Sequence, residues 1–245
     1  MARTSEGAAL TIRHQQLQLA LTRTTMAQLL RLWVAFDPAR AVTFDPVIAA
    51  AALVVRAANQ TSAGLAAAYY GGFRIAEGLR DAIPARLAVV PVTERVEGLL
   101  RGSAITGMLS ARNAGRPPAV ERDAAFVQLS GQATSLVLGG GRRTLMAAAD
   151  ADPDARGRIQ RITTGDACAF CAMLASRGPV YQATFEAHDH DACVPEIVYP
   201  GSALPASSAA YRSTWNQATA GLSGGDAFRA FRAALTPSPV TGAAA

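Results

Sequence analysis

Apolar residues recur at helical spacing along the first 150 positions. Leu10, Leu17, Leu21, Leu29, Leu32 and Phe36 form one stripe, with steps of three, four, seven or eight. Asp37-Pro38 ends it. His14 lies on this stripe, which marks it as a packing or interface histidine. Asp45 is placed to cap a second helix with Pro46 in its first position. That helix runs through Ala-rich sequence toward Pro84, with Gly71-Gly72 as a break or kink. A third starts near Pro91 and Thr93 and stops at Asn113-Ala114-Gly115. A fourth follows Pro117-Pro118 through Phe126, Leu129 and Leu136. The triplet Gly139-Gly140-Gly141 is expected to bend or interrupt it before Arg142-Arg143.

The pattern changes at Asp152-Pro153-Asp154. From Gly157 the run RIQRITTG alternates and is β-branched, as a strand is, and VPEIVY reads as a second strand. After Pro200-Gly201-Ser202 a helical stretch runs from about Ser207 through Trp215. A short helix capped by Asp226 carries Phe228, Phe231 and Leu235. The expected fold is mainly α: long N-terminal helices, a small α+β zinc-knuckle module and a C-terminal helical segment. The boundaries fall at 1–150, 151–202 and 203–235, with 236–245 as a mobile tail.

Composition agrees. The chain has 245 residues, half of them hydrophobic and 17% charged, enough for a real core and unlike a disordered chain. Alanine makes up about a fifth of it, which favours helices. All 23 basic residues are Arg, and the net charge is +5. These arginines are spread without a dense run, the pattern of solvated helix faces more than of a specific nucleic-acid site. The most apolar stretch, residues 46–55, ends at Arg56 and is too short to cross a bilayer, so no membrane partner is expected. The N-terminus has no apolar signal core.

Chemistry concentrates in one place. All three cysteines and two of the three histidines fall within 168–193. Cys168 and Cys171 make a C-x2-C pair; His188, His190 and Cys193 make H-x-H-x2-C. Thiolate and imidazole ligands from two short loops suit a tetrahedral, structural Zn²⁺, one per chain, with one histidine to spare. Two other readings stand beside it. Asp166 could cap a helix beginning at Cys168, whose N-terminus would lower a thiol pKa for redox work. The cysteines could also carry no metal, reduced or in a disulfide. A catalytic zinc would need an open position that a Cys-rich shell does not leave, and H-E-x-x-H is absent.

The stretch RITTGDACAFCAMLASRGPVY followed by HDHDACVPEIVY resembles the C-terminal module of phage Mu F-like minor head proteins, especially the versions in tailed phages of actinobacteria. The Arg- and Ala-rich composition suits the G+C-rich genomes of such hosts. The family's first cysteine pair maps to Cys168 and Cys171, its histidine to His188 and its final cysteine to Cys193. Asp191 stands where the family often has another cysteine, which makes His190 the natural replacement ligand. The resemblance implies a minor capsid protein inside the head and, during assembly, in the host cytoplasm. Its partners would be the portal protein or the major capsid protein, with non-specific contact to packaged DNA and a few copies per virion. Similar chains are often labelled capsid maturation proteases. The residues do not supply that chemistry: His14 is the one histidine outside the cluster, no G-x-S-x-G elbow occurs, and a Ser–Lys dyad is impossible without Lys. The protease remains the enzyme alternative, and a thiol–disulfide protein using the C-x2-C pair a further one. The aromatic end of the first helix, Trp33 and Phe36, is the expected anchor on a partner.

Overall fold

A computed structural model describes residues 2–80, 83–163, 167–181, 185, 187 and 192–235. Four long helices dominate: α1 (Ser5–Trp33), α2 (Phe44–Ala76), α3 (Thr93–Asn113) and α4 (Pro118–Ala151). Next come β1 (Arg158–Ile162), α5 (Ala169–Ser176), β2 (Val180–Tyr181) and β3 (Val194–Ile197), and then α6 (Ala206–Ala218) and α7 (Gly224–Leu235). The mainly α expectation holds among the described residues. The tail at 236–245 lies outside them.

α2 is the central element, packed on α1, α3 and α4. By length and composition it is apolar enough to cross a membrane, a longer stretch than the ten residues singled out in the sequence. Here it lines the core with Val47, Ile48, Ala52, Val55, Tyr70 and Phe73. Its start differs from the expected cap. The helix begins at Phe44 after a short 3-10 turn, and Asp45 sits inside the first turn, where it pairs with Arg101. It ends at Ala76 and passes Gly71-Gly72 unbroken.

The glycine triplet does not interrupt α4 either, which is continuous from Pro118 to Ala151. A Cβ on Gly140 would lie 2.1 Å from the Asn59 carbonyl oxygen of α2. One on Gly141 would lie 2.8 Å from Gln18 Nε2 and 2.9 Å from Ser62 Oγ. These glycines let α2 and α4 cross with their backbones nearly touching and admit the Gln18 side chain of α1 beside them, a use of glycine that costs helix propensity and gains close approach. Sequence cannot separate this from a break, because both demand a missing side chain.

The apolar stripe of α1 is only partly the buried one. Leu29 is buried and Leu10, Leu21 and Leu32 are half-buried, while Leu17 is 41% exposed. Up to Thr25 its buried residues are small or polar: Gly7, Thr11, His14, Gln18 and Thr25. Thr11, Gln18 and Thr25 each hydrogen-bond a polar side chain or a helix carbonyl. Gln18 exchanges hydrogen bonds with Ser62, donating from Nε2 to the carbonyl (3.1 Å) and accepting from the hydroxyl (2.8 Å). The Gly141 amide also donates to Ser62 Oγ. At the far end Trp33 and Phe36 are 4% and 3% exposed. They close the bundle with Phe44 and Phe126, ring centroids 4.8–5.9 Å apart. The partner-anchor expectation for these two aromatics therefore fails: their area is spent on the chain's own core.

His14 is a packing histidine, as its place on the stripe implied. Its ring stacks on Tyr69 at 4.5 Å, and Nδ1 has no hydrogen-bond partner among the described residues. Burial pulls its pKa from 6.5 down to about 4. The unfolded chain therefore binds a proton that the native chain refuses between those two values. This part of the stability is complete above pH 6.5 and is lost as pH falls toward 4, on the order of 3 kcal/mol. Denaturation midpoints of wild type and His14→Phe across this window check it. The variant keeps the stack and should lose the slope.

Candidate functional site

The three strands form one antiparallel sheet in the order β2-β1-β3, with β1 central. Ile162 at the end of β1 pairs with Val194 at the start of β3. That register brings Cys193, the residue before β3, to the sheet end from which the chain leads toward Cys168. Both expected strands form; β1 ends at Ile162, and the TTG that follows is mostly outside the described residues. α5 starts at Ala169, and Cys168 is itself its N-cap, accepting a hydrogen bond from the Cys171 amide at 3.4 Å. Asp166, the expected cap, lies outside the described residues. At the chain's end α7 begins at Gly224, so Asp226 stands in the first turn and pairs with Arg229.

Of the five expected metal ligands, Cys168 is exposed, and Cys171 and Cys193 are buried. No disulfide joins the three. His188 and His190, with Asp191, lie outside the described residues. Among the described residues no three metal-ligating side chains converge on one point.

Two arginines hold the cysteine-bearing loops onto the helices. Arg142 of α4 is buried and donates from Nε (3.1 Å) and Nη2 (2.8 Å) to the Cys193 carbonyl. Arg161 of β1 lies 4.0 Å from Cys171 Sγ through Nη1. Both guanidiniums stack on Phe185, with Cζ 5.3 Å and 3.9 Å from the ring centroid. Beside them opens a cleft of about 700 Å³, lined by Arg142, Arg143, Met146, Asp150 and Phe185 among others. Burial, and then the charge of Arg95, pulls the Arg143 pKa below its usual value. Arg143 shares the lining of this cleft with Asp150.

A second polar cluster lies behind the sheet. Asp152, fully buried just past α4, accepts from Arg74 Nη1 (2.5 Å), Tyr70 (3.1 Å), Tyr199 (3.0 Å) and, on Oδ1, the Asp154 amide (2.9 Å). Burial alone would raise its pKa. The bonds from Arg74, the Asp154 amide and the two tyrosines more than reverse this and hold it below the ordinary value. Burial beside that carboxylate pushes Tyr70 up to about 12 and Tyr199 higher still. Glu196 of β3 accepts from Thr11 Oγ1 (2.5 Å) and from Gln160 Nε2 (2.5 Å). These groups are locked to each other and present nothing to a substrate; they fasten α1, α2 and α4 to the sheet.

Sequence reasoning missed Arg142, Arg161, Phe185, Arg74 and Asp152 as a connected set. Asp152 marked only a change of character, and Arg142 only the end of a helix. Nothing in their spacing joins them, since each bond crosses between elements far apart in sequence.

The fold and site together are those of a helical body that carries a small cysteine-bearing α+β module. The model of one family, described as VG15 protein, matches residues 5–218, and the chain belongs to it. This is a viral gene family, pointing to a phage-encoded protein. No curated protein and no solved structure matches the chain.

Proposed function

We propose that this chain is a structural minor head protein of a tailed phage, bound at or near the portal on the inner side of the capsid. The observation that carries the reading is the family match, which spans the helical body and the cysteine module together. The resemblance of that module to Mu F-like head proteins narrows it from a phage protein to a head component. An architectural role also suits the buried groups, which tie helices to sheet and leave the chain's only described histidine, His14, stacked on Tyr69 and unable to serve as a general base. Arg142 and Arg143, which line the cleft, are cations suited to a phosphate of packaged DNA. Mass spectrometry of purified virions tests the reading. A few copies per particle, co-purifying with the portal, are expected. Recovery from host cytosol with none in virions overturns it.

One structural zinc per chain is part of this proposal. The donor chemistry fits in part: Cys168 and Cys171 sit one helical turn apart, and Cys193 arrives at the same end of the sheet. His190 or His188 would complete the shell. Bound zinc would supply cross-linking of the two loops and no reaction chemistry. Elemental analysis of protein purified without chelators should give close to one zinc per chain, and serine at Cys171 should abolish it. Metal-free protein with three freely reactive thiols would remove zinc from the reading.

A further inference from the structure

Arg161 belongs to the central strand β1 and is 5% exposed. Its Nη1 lies 4.0 Å from Sγ of Cys171, a buried residue in the first turn of α5. Its Cζ stands 3.9 Å from the centroid of the Phe185 ring. A guanidinium laid on an aromatic face is held in one orientation, so this one is aimed before any metal arrives. Arg142 of α4 meets the same ring and gives two bonds to the Cys193 carbonyl. The two arginines thus have different tasks: Arg142 holds the main chain of one cysteine, and Arg161 faces the sulfur of another.

Charge says what Arg161 does there. Three thiolates and a neutral imidazole carry three negative charges, and Zn²⁺ offsets two of them. A shell of three cysteines and one histidine therefore keeps one net negative charge, and two of its sulfurs belong to the buried residues Cys171 and Cys193. A buried charge without compensation is costly, and a charged N–H donor beside it lowers that cost. We infer that Arg161 is a positioning residue of the metal site, donating to the Cys171 thiolate and balancing the negative charge of the shell. The inference rests on the zinc reading above and deepens it: the metal is held by an outer cation as well as by its ligands.

Zinc competition against a chromophoric chelator, with the full chain, tests this. Arg161→Met keeps an apolar stem and removes the cation. Zinc should then bind about tenfold to a hundredfold more weakly, the usual loss for an outer partner of a ligand. Arg161→Lys keeps the charge and should recover part of that loss. Cobalt in place of zinc reports on the sulfur directly. A donor on the thiolate lowers the energy of its electrons, so the sulfur-to-cobalt charge-transfer band should move to longer wavelength in Arg161→Met. A residue that only supports the fold would leave the band in place. One measurement needs no variant: in wild type loaded with spin-active cadmium, an Arg161 N–H proton should couple to the metal through Cys171 Sγ. A wild type that binds none of these metals overturns the zinc reading and this inference with it. A wild type that binds zinc overturns the inference alone if Arg161→Met binds it as tightly, if the cobalt band does not move, or if Arg161 shows no coupling.

Discussion

Replacing Asp152 by Ala is expected to cost about 3–5 kcal/mol of stability, because it leaves the Arg74 guanidinium buried with its main counter-charge gone. Asp154 also reaches Arg74, at 3.1 Å, but it is half-exposed and cannot replace the buried partner. The two tyrosine hydroxyls lose their acceptor in the same step. Urea denaturation of wild type and Asp152→Ala gives the difference. The double variant Arg74→Met, Asp152→Leu should recover much of the loss, since it removes both charges. The pH dependence follows from the same geometry. The Asp152 pKa is lower folded than unfolded, so its contribution is complete above the ordinary carboxylate range and is lost as pH falls through the folded value. A variant no less stable than wild type at neutral pH would show that the cluster does not hold the sheet to α2.

A side chain on Gly140 should be nearly as damaging. Gly140→Val is expected to lose about 3 kcal/mol or more, since the obstacle to its Cβ is the Asn59 backbone and not a movable side chain. The Asn59 side-chain amide, which donates to the Leu136 carbonyl at 2.6 Å, would be displaced with it. Gly139→Ala is the matched control. Its Cβ would meet only the end of the flexible Arg143 side chain, so the usual gain of helix propensity should offset most of the crowding. Melting temperatures of the two variants separate a packing glycine from a helix-breaking one. If Gly140→Val melts like wild type, the close crossing of α2 and α4 is wrong.

Several elements were legible in the sequence because their signals are local. The four long helices follow from apolar spacing and from the proline and glycine punctuation at Asp37-Pro38, Asn113-Ala114-Gly115 and Pro117-Pro118. β1 and β3 follow from β-branched runs between turn residues. The candidate metal site rests on spacing alone, and the structure adds the C-x2-C turn at the head of α5 and the position of Cys193.

What the chain determined by itself is therefore the class of each segment: mainly helical, with one small strand-and-cysteine module whose residue types suit a metal. Tertiary structure decided which faces of those segments are buried. Thr11 and Gln18 are not among the residues of the apolar stripe read for α1, yet they are buried, because α2, α4 and β3 present matching groups and bare glycine backbone at the same height. Trp33 and Phe36 read as an anchor for a partner, yet Phe44 and Phe126 reach them first. The physical reason is common to both. Periodicity records which residues share a face, whereas burial depends on what another element brings to that face, and residues distant in sequence supply it.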